Sequence, residues 1–141
     1  MILDPPNTRL WAERLTWFDR RLRPDGMSRP VSVGAQSEAL LHECRRAFAS
    51  GGWVTVVVLA QAVIDSELAE RLVDGSGDGL DLNEARFGRD FVWLRARRNG
   101  YLHNDGPGPA ITAHELLLDA QRLEREARKA VELLAKVLSG S

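Results

Sequence analysis

Trp11, Leu15, Phe18 and Leu22 recur at intervals of four, three and four residues, the spacing of one helix face, with Thr8 placed to cap it. "RPDGMSRPVSVGAQ" then breaks the pattern with Pro24, Gly26, Pro30 and Gly34. Ser37 is positioned to cap a second helix over 37–50, which Gly51 and Gly52 end. "WVTVVVLAQAVI" opens the third segment, 53–73. Its β-branched run would suit a buried strand if read alone. The apolar pattern continues through Leu68 and Leu72, beyond the usual length of a strand, and so predicts a helix. Asn83 is the expected cap of a fourth helix reaching about residue 100, with Phe87, Phe91 and Leu94 as its inward stripe. Thr112 and Glu115 form a capping box that opens a last helix through about Leu138. The sequence holds no internal repeat and no convincing strand pair. The prediction is therefore a single all-α domain over 1–141, an antiparallel bundle of about five helices, with 1–36 supplying an N-terminal helix and linker.

The third segment is apolar almost all round, which places it at the centre of the bundle. Gln61 and Asp65 interrupt it, four residues apart and hence neighbours on the helix surface. A carboxylate there needs a partner. Asp65 either sits at the edge of the stripe and reaches water or pairs with an arginine of the fourth helix. Arg98 takes the next position on the stripe after Leu94, and is directed at a core edge, a cleft or an interface. His103 follows five residues later, about 140° away on an unbroken helix. A loosening of the helix at Gly100, or its end there, would bring both side chains to one cleft.

Composition narrows the function classes. Of 141 residues, 44% are hydrophobic and 28% charged, the profile of a globular chain long enough to bury its own core. The formal net charge of −1 means that any nucleic-acid contact must be a local patch. A single cysteine, Cys44, excludes an internal disulfide. No apolar run reaches membrane-spanning length, and "MILDPPNTRL" lacks the basic start and apolar stretch of a signal peptide. The expectation is a cytoplasmic protein without membrane contact.

"RRNGYLH", running from Arg97 to His103 at the end of the fourth segment, carries a resemblance. An arginine, a polar residue, a few further residues and a histidine near the end of a long helix resemble the HEPN domains, with Arg98, Asn99 and His103 in the motif positions. The order of elements over roughly 37–138 is similar too: an apolar helix, a linker, the motif helix, a Gly/Pro loop and a long last helix. The resemblance implies a bundle that dimerises with its motif helices facing each other. It also implies a metal-independent endoribonuclease with no cofactor, in which Arg98 and His103 are catalytic and Asn99, Asp65 and Gln61 support them. Arg95, Arg97 and Tyr101 would contact substrate. Other members of the family are non-catalytic nucleotide-binding or protein-interaction modules, or partners of nucleotidyltransferase-like proteins or antitoxins, and that alternative stays open. Asp105 stands where some members carry a tyrosine two residues after the histidine, a departure from the toxin branch.

The chemistry suits the residue types. RNA carries its own nucleophile, the 2′-hydroxyl, so cleavage needs proton transfer and stabilisation of a pentacoordinate phosphorane. Imidazole ordinarily titrates near neutrality, and guanidinium presents a planar fork to phosphate oxygens. Arg86 and Arg89 read as a solvated basic face. "DGSGDGLDLNE" resembles a calcium loop through Asp74, Ser76, Asp78 and Gly79, but Ala85 stands where the last carboxylate belongs and Glu84 comes one position early. "HEC", His42 to Cys44, lacks the second ligand pair of a zinc site, so Cys44 reads as a buried structural thiol and no metal is expected.

Overall fold

The computed structural model describes residues 4–23, 33–74 and 82–139. The described residues form helices and connecting loops with no strand: α1 (Thr8–Leu22), α2 (Ala35–Ser50), α3 (Trp53–Asp74), α4 (Leu82–Phe87), α5 (Arg89–Leu102), α6 (Ala113–Leu118) and α7 (Ala120–Ser139). The class is all-α, as the periodicity predicts. The breaks at Pro24, Gly26 and Pro30, and the calcium-like positions Ser76, Asp78 and Gly79, lie outside the described residues.

α3 is the hub. It packs most extensively against α2 and α7, and more narrowly against α5. Val56, Val57, Ala60, Val63 and Ile64 are all buried, so apolar residues fill more than one face of the helix. Around them lie Cys44 and Phe48 of α2, Phe91 and Leu94 of α5, and Leu123, Ala127, Val131 and Leu134 of α7, in one continuous core. Gly51 turns α2 back into α3 at φ 85°, a left-handed conformation suited to glycine, and the turn N–H groups donate to the carbonyls of Phe48 and Ala47. α1 is fastened by aromatics: Trp17 stacks on Phe48 at 5.0 Å, and Arg128 of α7 sits 4.5 Å over the Trp17 ring.

Two predicted continuous helices are broken. The fourth divides at Gly88 into α4 and α5, and the last divides at Asp119 into α6 and α7. Asn83 consequently lies inside α4 rather than capping a long helix. The kink at Gly88 also resets the helical phase, so Phe87, expected to face inward, is 74% exposed. Thr112 does cap α6, its hydroxyl accepting the Glu115 N–H at 3.2 Å.

The cap of α2 also departs from expectation. The helix starts at Ala35 with Gly34 as its N-cap, and Ser37 is fully buried in the first turn. Glu67, on α3, does the capping. Its carboxylate accepts the Gly34 N–H at 3.2 Å and the Ser37 hydroxyl at 2.8 Å, and pairs with Arg71 at 3.6 Å. The charge sits at the positive end of the α2 dipole. Local sequence could not show this cap, because donor and acceptor come from different helices. Glu67 is only 3% exposed, so its hydrogen bonds are charge-assisted and sheltered from water. Glu67→Ala should cost about 2–4 kcal/mol in urea unfolding, and Glu67→Gln less, because the amide oxygen still accepts one bond.

Cys44 is fully buried against α3, its thiol 3.9 Å from the Val56 carbonyl. Burial pushes its pKa up from 9.0 to about 12. Between those values the unfolded chain releases a proton that the fold retains, so Cys44 makes stability fall as pH rises through that window. Alkylation of Cys44 at mildly alkaline pH should therefore follow the unfolding transition, with native protein protected.

Candidate functional site

α5 runs opposite to α7, and its side chains divide among three directions. Phe91, Leu94 and Arg98 look toward the core and α3. Arg97 and Tyr101 look toward α7. Val92, Asn99 and Leu102 look outward, with Val92 45% and Leu102 55% exposed.

On the side facing α3, a chain of hydrogen bonds links three helical turns. Gln61 Nε2 donates to Asp65 Oδ1 at 2.8 Å, and Arg98 Nη1 donates to Asp65 Oδ2 at 2.9 Å. Arg98 Nε donates to Asn99 Oδ1 at 2.7 Å, so the guanidinium is held from two sides. The Arg98 side chain is 19% exposed and that of Asp65 47%, which places the ion pair at the rim of the core. Both sequence readings of Asp65 are therefore satisfied: it reaches water and it pairs with the arginine. Gln61 is fully buried, and its Oε1 has no hydrogen-bond partner among the described residues. Turning the amide over would set that oxygen against the carboxylate, so Asp65 dictates the orientation. Arg98 Nη2 donates to no described residue and remains available.

His103 stands apart from this chain. α5 continues unbroken through Gly100 to Leu102, so the expected loosening at Gly100 does not occur. His103 is instead the C-cap, with extended backbone (φ −123°, ψ 124°), and its N–H donates to the Asn99 carbonyl at 2.9 Å. Its side chain is exposed and enters no hydrogen bond or ion pair among the described residues. Arg98, Asn99, Asp65 and Gln61 are brought together; His103 is placed at the adjacent helix end, open to solvent.

The three residues expected to contact substrate are separated. Arg97 donates through Nε and Nη2 to Glu126 Oε2 at 3.2 and 3.1 Å, and Tyr101 donates to the same oxygen at 3.3 Å. Glu126 also accepts from Arg122 at 3.3 Å, and Arg122 reaches Glu115 at 2.8 Å. Burial raises the Tyr101 phenol above its ordinary pKa, opposed by the charge of Arg97. Arg97 and Tyr101 thus tie α5 to α6 and α7 rather than facing outward. Arg95 alone stays on the outer side, where Nη2 donates to the Arg86 carbonyl. Sequence reasoning missed Glu126 and Arg122. Their four-residue spacing on the last helix marked them as neighbours, but not as partners of α5. Among the described residues no cluster of His, Cys, Asp and Glu could hold a metal ion, and no helix is long and apolar enough to cross a membrane.

The Asp65–Arg98 pair should be measurable as a coupling. In a double-mutant cycle of Asp65→Asn and Arg98→Gln, the coupling energy should be about 0.5–1 kcal/mol, because Asp65 is half in water, and should shrink as salt is added. A coupling indistinguishable from zero at low salt would show that the pair does not hold Arg98.

Compared with protein-family models, curated proteins and solved structures, the chain matches none, so the HEPN resemblance rests on the motif and its place in the order of elements.

Proposed function

We propose that this chain is a HEPN-like module that acts as a dimer and cleaves RNA without a metal ion, using Arg98 and His103. The observation that carries the reading is the state of Arg98: oriented by Asp65 and Asn99, at the rim of the core, with Nη2 uncommitted. A guanidinium held in one rotamer has already lost the freedom that binding a phosphate would otherwise take from it. His103 supplies an exposed imidazole one helical turn further on, the side-chain type suited to proton transfer near neutral pH.

Within one chain these two groups point in different directions, which favours a site completed by a second copy. The outward positions of α5 give such a copy a surface, since Val92, Asn99 and Leu102 lie at seven- and three-residue spacing on one stripe. In the proposed reaction one imidazole takes the 2′-hydroxyl proton. The 2′-oxygen attacks phosphorus, and the bond to the 5′-oxygen breaks. The partner subunit's His103 returns a proton to that oxygen. Products are a 2′,3′-cyclic phosphate and a 5′-hydroxyl. Arg98 offsets the charge that builds on the equatorial oxygens.

A second reading keeps a specific observation on its side. An arginine already paired with Asp65 at 2.9 Å also suits a structural clasp in a nucleotide-binding or protein-interaction module, including one that docks a nucleotidyltransferase-like protein or an antitoxin. The two readings separate in one assay. With chelator present, the purified protein should cleave single-stranded RNA to 2′,3′-cyclic phosphate ends and sediment at twice the chain mass. His103→Ala should lower the rate at least about 10²-fold with an unchanged melting temperature. Arg98→Lys should be severely impaired, because lysine lacks the fork. Parent protein that never cleaves, but whose melting temperature rises with a nucleotide in an Arg98-dependent way, would establish the second reading.

A further inference from the structure

Phe87 is 74% exposed, yet the chain around it is well fixed. α4 ends at Phe87, and the Gly88 N–H donates to the Glu84 carbonyl at 2.7 Å. The Gly88 carbonyl in turn accepts the Val92 N–H at 2.9 Å, which starts α5. A Cβ at Gly88 would lie 2.6 Å from the Glu84 carbonyl oxygen, so the two helices meet this closely only with glycine at the junction. The ring is therefore held outward at a tight kink, not left at a frayed end. Arg95 strengthens the same point. Its Nη2 donates to the Arg86 carbonyl, the oxygen of the peptide joining Arg86 to Phe87.

Among the described residues, the carboxylates next to the ring are already paired. Glu84 and Asp90, the acidic residues of α4 and of the first turn of α5, are engaged by Lys136 and by Lys129, the latter at 3.1 Å. Arg86, Arg89 and Arg95 pair with no carboxylate among the described residues. An exposed aromatic thus stands in a stretch with three arginines that pair with no carboxylate among the described residues. A second copy docked through Phe87 would bring two such clusters together, and a lone ring offers little area to an apolar protein face or a membrane. A polyanion whose units carry π-faces fits both features at once.

We infer that Phe87 is a stacking platform for a base of single-stranded RNA, with Arg86, Arg89 and Arg95 taking the flanking phosphates. The choice of RNA rests on the reading of Arg98 and His103 given above; the platform itself does not. From Gly88 to Arg98 the α5 axis advances about 15 Å, so one strand could lie along the helix from platform to Arg98.

The test is fluorescence anisotropy with a labelled oligouridylate carrying 2′-O-methyl riboses, which binds without being cut. Phe87→Ala should weaken binding about tenfold with an unchanged melting temperature, and Phe87→Trp should restore it. Arg89→Gln should weaken binding and lower the slope of log affinity against log salt by about one. Equal affinity of the parent and Phe87→Ala would overturn the inference. So would conversion of a dimer to a monomer by Phe87→Ala, which would assign the ring to an interface between copies. Competition by polyglutamate, equally effective against parent and Phe87→Ala, would reduce the patch to a general cation surface and overturn it as well. Measuring cutting of an unmodified oligouridylate beside anisotropy separates this inference from the proposed cleavage, since the platform predicts Phe87-dependent binding whether or not RNA is cut. Phe87-dependent binding by a protein that cuts no RNA would uphold the platform and remove the ribonuclease. Cleavage whose KM ignores Phe87→Ala would do the reverse.

Discussion

A carboxylate on a helix that is otherwise packed in apolar side chains has to find a donor, and two of the four carboxylates of α3, Glu67 and Asp65, find theirs on neighbouring helices. Glu67 finds its donors on α2, through the Gly34 N–H and the Ser37 hydroxyl. Asp65 finds its donors in Gln61 and in Arg98 of α5. Hydrophobic burial brings the helices together but is indifferent to small rotations, since Val, Leu and Phe contacts are non-directional. The two carboxylates are directional. Each fixes the rotation and height of a neighbouring helix against the hub, one near the start of α2 and one near the end of α5. A misplacement at either would leave a charge short of hydrogen bonds at the edge of a low-dielectric core.

The consequence for α5 is a division of labour by face. Its inward side is pinned by Asp65, and the side toward α7 by Glu126, which gathers Arg97, Tyr101 and Arg122. With two faces occupied, only the outward stripe and the two ends are left for a partner or ligand. Those ends carry exposed side chains with no hydrogen bond or ion pair among the described residues: Phe87 with Arg86 and Arg89 at one, His103 at the other. Gln61 marks the cost of this arrangement. It steadies Asp65 through one half of its amide and leaves the other half buried without a hydrogen bond among the described residues, a burden of about 1–3 kcal/mol.

Much of this was legible in the chain. The helical period of Trp11 to Leu22, the Gly51–Gly52 stop and the Thr112 cap are local signals, and each depends on atoms a few residues apart. The central place of the third helix followed from its lack of a polar face. Arg98 was singled out because it continued the Phe91–Leu94 stripe, and Asp65 because a carboxylate interrupted an apolar one. What failed was phase across a break. The Phe87–Phe91–Leu94 stripe runs straight through Gly88, and reading it as one helix turned Phe87 inward when the kink turns it out. The loosening expected at Gly100 does not occur: the helix passes through that glycine and ends at Leu102, close to the end expected near residue 100, with His103 as its C-cap.

The sequence alone determined the class of the fold, the identity of the hub and the short list of residues that had to be explained, because periodicity, composition and burial of polar groups are properties of single segments. Tertiary structure alone decided the partners. Whether Ser37 caps its own helix or is held by Glu67, whether Arg97 faces a ligand or Glu126, and whether Arg98 and His103 share a cleft depend on how helices distant in the chain are rotated against one another. That rotation is set by a few directional contacts between segments, and no local pattern records it.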